Sequence, residues 1–103
     1  MKIVLSIGGI PIRLTDERMD HIARRHPEMR GQEDKILETV AEPGLVQQGD
    51  AGSQVALRHY PATPLTEKFC AVVYREASEH DGFVITAYFC SRYAGARRVL
   101  WKR

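Results

Sequence analysis

Residues 15–29, TDERMDHIARRHPEM, bring His21 and His26 together with Arg18, Arg24 and Arg25. Imidazole is the side chain that exchanges protons nearest neutrality, and guanidinium carries a permanent charge on a planar fork that matches phosphate oxygens. Further along, residues 83–90, FVITAYFC, alternate apolar side chains with Thr86 and Tyr88. Acid–base groups beside cations suit phosphodiester chemistry. One group takes a hydroxyl proton, another protonates the leaving oxygen, and a cation stabilises charge on the phosphoryl oxygens in the transition state. If the attacking hydroxyl is the 2′-hydroxyl, the substrate is RNA, because DNA lacks that group.

Other chemistries fit the residues less well. A zinc site needs Cys and His at short spacing, but Cys70 and Cys90 stand apart, and His21 and His26 are five residues apart, a poor separation for chelation from one helix. No metal site is expected. The glycine-containing segment SIGGIP lacks the Lys and Ser/Thr of a phosphate loop and the dinucleotide fingerprint, so no nucleotide cofactor is expected either. Both cysteines lie in strand-like runs, where a thiol stays protonated and inert, which argues against a cysteine nucleophile. Two cysteines also make no secreted disulfide framework; reduced thiols in the cytoplasm are the expectation.

The elements that must position these groups can be read from periodicity. Residues 3–7 and 10–14 are extended runs about Gly8-Gly9, which suits a hairpin turn. Thr15 is an N-cap candidate, with Asp16 and Glu17 placed to favour the positive end of a helix dipole. Met19, Ile22, His26 and Met29 follow helical spacing, while Glu17, His21, Arg24 and Glu28 form a second stripe able to face water. Pro27 disfavours helical geometry at His26, so the helix should end near Arg25 with His26 at its exit. A second helix is expected over Glu33–Ala41, with Ile36, Leu37 and Val40 inward and Pro43-Gly44 closing it. The rest reads as strands at residues 45–48, 54–60, 68–74, 83–90 and 98–101, separated by turn-rich pieces. The fold class is therefore α+β: one domain with two N-terminal helices packed on one face of a four- to five-stranded antiparallel meander sheet.

Strand alternation then assigns faces. With Val55, Leu57 and His59, then Phe69, Ala71 and Val73, and finally Phe83, Ile85, Ala87 and Phe89 turned to the helices, the opposite face carries Arg58, Tyr60, Lys68, Cys70, Thr86 and Tyr88. Such a face serves equally as an ordinary solvated surface or as a site. As a site, Arg58 and Lys68 would stabilise phosphoryl charge, Tyr60 or Tyr88 would stack a base or transfer a proton, and Thr86 would hydrogen-bond a phosphate. Among the histidines, His21 reads equally as a solvated side chain or a catalytic one, and His26 competes with a capping role. If the site lies opposite the helices, a helix residue reaches it only at the rim, which favours His26. Arg25, Arg97 and Arg98 join Tyr60 as candidates for substrate binding.

Composition sets the remaining bounds. The chain has 103 residues, 44% hydrophobic and 27% charged, with a net charge of +2 and no run of like charge, which fits one modest core and no polybasic arm. Residues 1–42 carry seven Lys/Arg against eight Asp/Glu, and residues 43–103 carry eight against five, so an anionic partner would meet the second part. The short apolar N-terminal run, broken by Gly8, Gly9 and Pro11, suits neither a signal peptide nor a membrane span.

The pairs Leu14-Thr15, Glu17-Arg18 and His21-Ile22, the run Arg25-His26-Pro27-Glu28, then Glu42-Pro43, Lys68 and Thr86-Ala87-Tyr88 form an ordered set. In this set and in its order of elements, from Ile12 to about Trp101, the chain resembles the phage-associated branch of the barnase/EndoU/colicin/RelE-like nuclease superfamily. The resemblance implies a metal-independent endoribonuclease, used as a toxin or as a phage or mobile-element effector, acting on RNA such as tRNA or ribosome-bound mRNA and met by a small antitoxin or immunity protein. It implies a helix histidine (His21 or His26), a strand cation (Arg58 or Lys68) and a late-strand hydroxyl (Thr86 with Tyr88). No carboxylate lies at a strand centre, which leaves the general base unassigned. The alternative is a non-catalytic module that holds RNA or a partner protein by stacking and phosphate contacts.

Overall fold

A computed structural model describes residues 1–103. Strand β1 (Lys2–Leu5) turns back into β2 (Pro11–Leu14), with Gly9 at φ 79°, a left-handed conformation that favours glycine. Thr15 caps α1 (Asp16–Arg25), its hydroxyl accepting from the Arg18 N–H at 3.1 Å. His26 leaves helical geometry, at φ −131° and ψ 81°, before Pro27, and Pro27–Met29 form a 3-10 turn that buries Met29. Helix α2 (Glu33–Ala41) follows, then β3 (Leu45–Gln48), β4 (Gln54–Tyr60), β5 (Lys68–Ser78), β6 (Asp81–Cys90) and β7 (Val99–Lys102).

All seven strands form one sheet in the order β1-β2-β6-β5-β4-β3-β7. The architecture is α+β, but the sheet is larger than a four- to five-stranded meander and is mixed rather than antiparallel. The N-terminal hairpin joins it through a parallel pairing of β2 with β6, and β7 returns to pair with β3 at the far edge. Local patterning locates strands without showing which of them become neighbours. Gly82 allows the parallel junction: a Cβ there would lie 2.5 Å from both the Arg75 carbonyl oxygen and the Ile12 side chain.

Helix α2 packs on β4, β5 and β1, whereas α1 lies along β6, beyond the point where β2 leaves it. The main core lies between the helical layer and the sheet and includes Ile12, Ile22, Met29, Ile36, Val40, Val46, Ala56, Cys70, Val72, Tyr74, Val84, Ala87 and Phe89. A smaller cluster, Val55, Leu57 and Ala71 with Phe69, Val73, Tyr88 and Cys90, occupies the opposite, open face.

This division corrects the expected faces of β4 and β5. Ala56, Cys70, Val72 and Tyr74 turn to the helices, so Arg58, Tyr60 and Lys68 share their side, and Val55, Leu57, His59, Phe69, Ala71 and Val73 point the other way. Both faces of these strands are apolar, so a choice made by hydrophobicity alone had little to decide it, and a one-residue slip exchanges every side chain. In β6 the assignment was correct for Thr86, Ala87, Tyr88 and Phe89. Between Thr86 and Val84 the ladder to β5 shifts register, as at a β-bulge, so Val84 enters the main core and Ile85 joins the open face.

Candidate active site

The six residues expected to share a pocket lie on two sides of the sheet. Arg58 Nη1 donates to the Glu42 carbonyl at 2.7 Å and its Nε lies 3.4 Å from Glu38. Tyr60 donates its hydroxyl to Glu38 at 2.6 Å, and its ring lies between Lys35, 5.6 Å from the centroid, and Arg58 at 5.7 Å. Burial, then Glu38, raises the Tyr60 pKa. These groups tie α2 to the end of β4: the Tyr60 hydroxyl and Arg58 Nη1 are hydrogen-bonded within the protein, while buried Arg58 Nε has only the ion-pair contact with Glu38. Lys68 Nζ donates to Ser91 Oγ at 2.7 Å on the same side. Cys70 is wholly buried, and that burial pushes its thiol up to about 11.

Thr86 and Tyr88 do face the open side, in register with Val73 and Ala71. Here α1 positions a catalytic-type group. Because the helix runs beside β6, with Arg18 Nη1 donating to the Ile85 carbonyl at 3.3 Å, its exit brings His26 to the rim, where the imidazole centroid is 5.6 Å from that of Tyr88 at an interplanar angle of 35°. Glu28, turned back by the 3-10 turn, places Oε1 3.5 Å from His26 Nδ1, with both side chains partly buried. A carboxylate on Nδ1 orients the ring and leaves Nε2 for a substrate. No strand-centre carboxylate stands here; the acid–base group nearest Tyr88 is His26, with a carboxylate two residues downstream beside its Nδ1. His21 is separate, in a shallow groove along α1 with Glu17, Arg18 and Arg24, and exposed Arg25 ends the helix.

Next to Tyr88 is a cavity of about 300 Å³. Its floor is Val55, Leu57, Val73 and Ile85, and its wall is the segment between β6 and β7, residues 91–98, which contributes Arg92, Tyr93 and Arg97. Three side-chain tethers fix that segment. Lys68 holds Ser91; buried Gln47 donates Nε2 to the Ala94 carbonyl at 2.7 Å; Arg97 Nη1 donates to the Gln48 carbonyl and to Asp50, each at 3.2 Å. Tyr93 stands edge-on to Phe69, with centroids 5.2 Å apart. Arg98 is exposed, and its carbonyl accepts from the Gln48 N–H.

Burial holds the Tyr88 phenol above its ordinary value, with Arg97 pulling the other way, so the hydroxyl keeps its proton at neutral pH. Cys90 also lines the cavity and is likewise raised by burial, so it offers a thiol rather than a thiolate. No three His, Cys, Asp or Glu side chains converge to hold a metal ion. No helix is long and apolar enough to cross a membrane.

Sequence reasoning missed Gln47, Arg92 and Tyr93. SRYAGARR reads as a connector, and its only signal was the density of arginine around an aromatic residue. Comparison with known proteins returned no matching family model, no matching curated protein and no matching solved structure.

Proposed function

We propose that the open face cleaves RNA without a metal ion. The single observation carrying this reading is the His26–Tyr88 ring pair adjoining a cavity walled by Arg92 and Arg97. His26, oriented by Glu28, accepts the 2′-hydroxyl proton. The 2′-oxygen forms its bond to phosphorus as the bond from phosphorus to the 5′-oxygen breaks, and Tyr88 gives its proton to that leaving oxygen. The products are a 2′,3′-cyclic phosphate and a 5′-hydroxyl. Arg97 lowers the cost of the transient phenolate, Arg92 stabilises phosphoryl charge, and Thr86 supplies a hydroxyl one pleat away. The roles first given to Arg58 and Lys68 pass to Arg92 and Arg97.

The test is incubation with structured RNAs in EDTA, reading both ends of the products. Removing a general acid or base costs about 10²–10⁴-fold, so His26→Ala and Tyr88→Phe should each lower cleavage by that order, and a 2′-O-methyl group at the scissile nucleotide should block it. Cleavage indifferent to both substitutions refutes the assignment. One observation favours a non-catalytic RNA- or protein-binding module instead: Arg97 is already paired with Asp50 above a largely apolar floor. Binding with no cleavage across diverse RNAs would select that reading.

A further inference from the structure

A phosphate has no place on the floor formed by Val55, Leu57, Val73 and Ile85, because an anion there would lose its hydration without a partner. Phosphate belongs at the rim, by His26, Tyr88 and Arg92, so the cavity must take something flat and apolar joined to it. We infer that the cavity receives a single unpaired nucleobase turned out of its strand, and that the site therefore acts on single-stranded or looped nucleic acid and rejects duplex. This deepens the proposal above and rests on its placing of the site on the open face.

Three features support the inference. A volume of about 300 Å³ is at the lower limit of ligand pockets, which suits one ring system and not a stack. Tyr88 and Tyr93 stand at the sides of the apolar floor, and Tyr93 is held in place by its edge-on contact with Phe69, so π surfaces are available without side-chain rearrangement. The lining also includes the Asp50 carboxylate and the buried Gln47 side chain, whose amide Nε2 donates to the Ala94 carbonyl while its Oε1 keeps acceptor capacity, so a base's polar edge meets acceptors there. A base in a duplex already has its faces stacked and its edge paired, so only an unpaired one can enter.

The experiment measures fluorescence anisotropy with a 2′-O-methyl RNA octamer, which cannot be cleaved, as a single strand, as a duplex with its complement and as an abasic strand of the same length. Val73→Phe fills the cavity and Tyr93→Ala removes its exposed wall; thermal melts confirm that both fold. The expected result is single-strand binding at least roughly tenfold tighter than duplex or abasic binding, and a loss of roughly tenfold in each variant, as one lost stacking contact implies. Equal binding of single strand and duplex, equal binding of the abasic strand, no binding at all, or wild-type affinity in both variants overturns the inference. Cleavage is scored separately. Pocket-dependent binding without cleavage leaves the nucleobase site standing and removes the nuclease, while cleavage unaffected by both variants does the reverse.

Discussion

Gln47→Leu isolates the contribution of the wall to the site. Gln47 is 2% exposed, and its amide makes the central tether of residues 91–98, at 2.7 Å from the Ala94 carbonyl. The flanking tethers at Ser91 and Arg97 involve exposed partners and hold only the ends. A neutral hydrogen bond contributes about 0.5–1.5 kcal/mol net, and Ala94 is exposed, so its freed carbonyl can turn to water. Leucine restores apolar contact on the open face, so global stability should change by less than about 1 kcal/mol. The free energy of locally opening the wall should fall by about 0.5–1.5 kcal/mol, which corresponds to roughly two- to tenfold faster amide exchange at Tyr93, Ala94, Gly95 and Ala96. Hydrogen exchange resolved by residue, combined with a thermal melt, separates the two effects. RNA cleavage and binding should fall with the exchange change, because Arg92 and Tyr93 are no longer held as part of the cavity wall. Unchanged exchange in that segment would show that Gln47 does not hold the wall, and a global loss of several kcal/mol would show that it belongs to the core.

Two further outcomes test the packing beneath the site. Tyr74 is 0% exposed and its hydroxyl has no hydrogen-bond partner, so Tyr74→Phe should stabilise the fold by about 1 kcal/mol; a lower melting temperature would contradict this. Burial raises the Cys70 thiol from its ordinary value of 9.0 to about 11. The unfolded chain therefore loses this proton first, so the contribution to stability is full below about pH 9 and is lost as pH rises toward 11. Denaturant titrations across that window should show a shallower alkaline loss in Cys70→Ala than in the wild type, and identical slopes would dismiss the mechanism.

Much of the scaffold was legible because its signals are local. Thr15 and Pro27 set the limits of α1, the Glu33–Ala41 helix followed from Ile36 and Val40 with Pro43 beyond it, and the extended runs marked all seven strands. The placement of the candidate site's side chains was legible where it depended on one strand and one helix exit. Tyr88, Thr86 and His26 reached the open face and its rim as alternation and the proline suggested. It was not legible in β4 and β5, where Val55 and Leu57 are as apolar as the Ala56, Cys70 and Val72 that took the helix side.

Residue order alone thus determined the two helices and the positions of the strands, because caps, prolines and periodicity act over a few neighbours. It did not determine how far the β5–β6 hairpin runs: residues 75–78 and 81–82, turn-like in sequence, are drawn into strand by their pairing. Tertiary structure decided the parallel junction of β2 with β6, the side to which Arg58, Tyr60 and Lys68 turn, and the return of residues 91–98 over the sheet. Each of those outcomes depends on which distant surface covers a face that is apolar on both sides. That competition is settled by packing across the whole sheet, and no short stretch of sequence contains it.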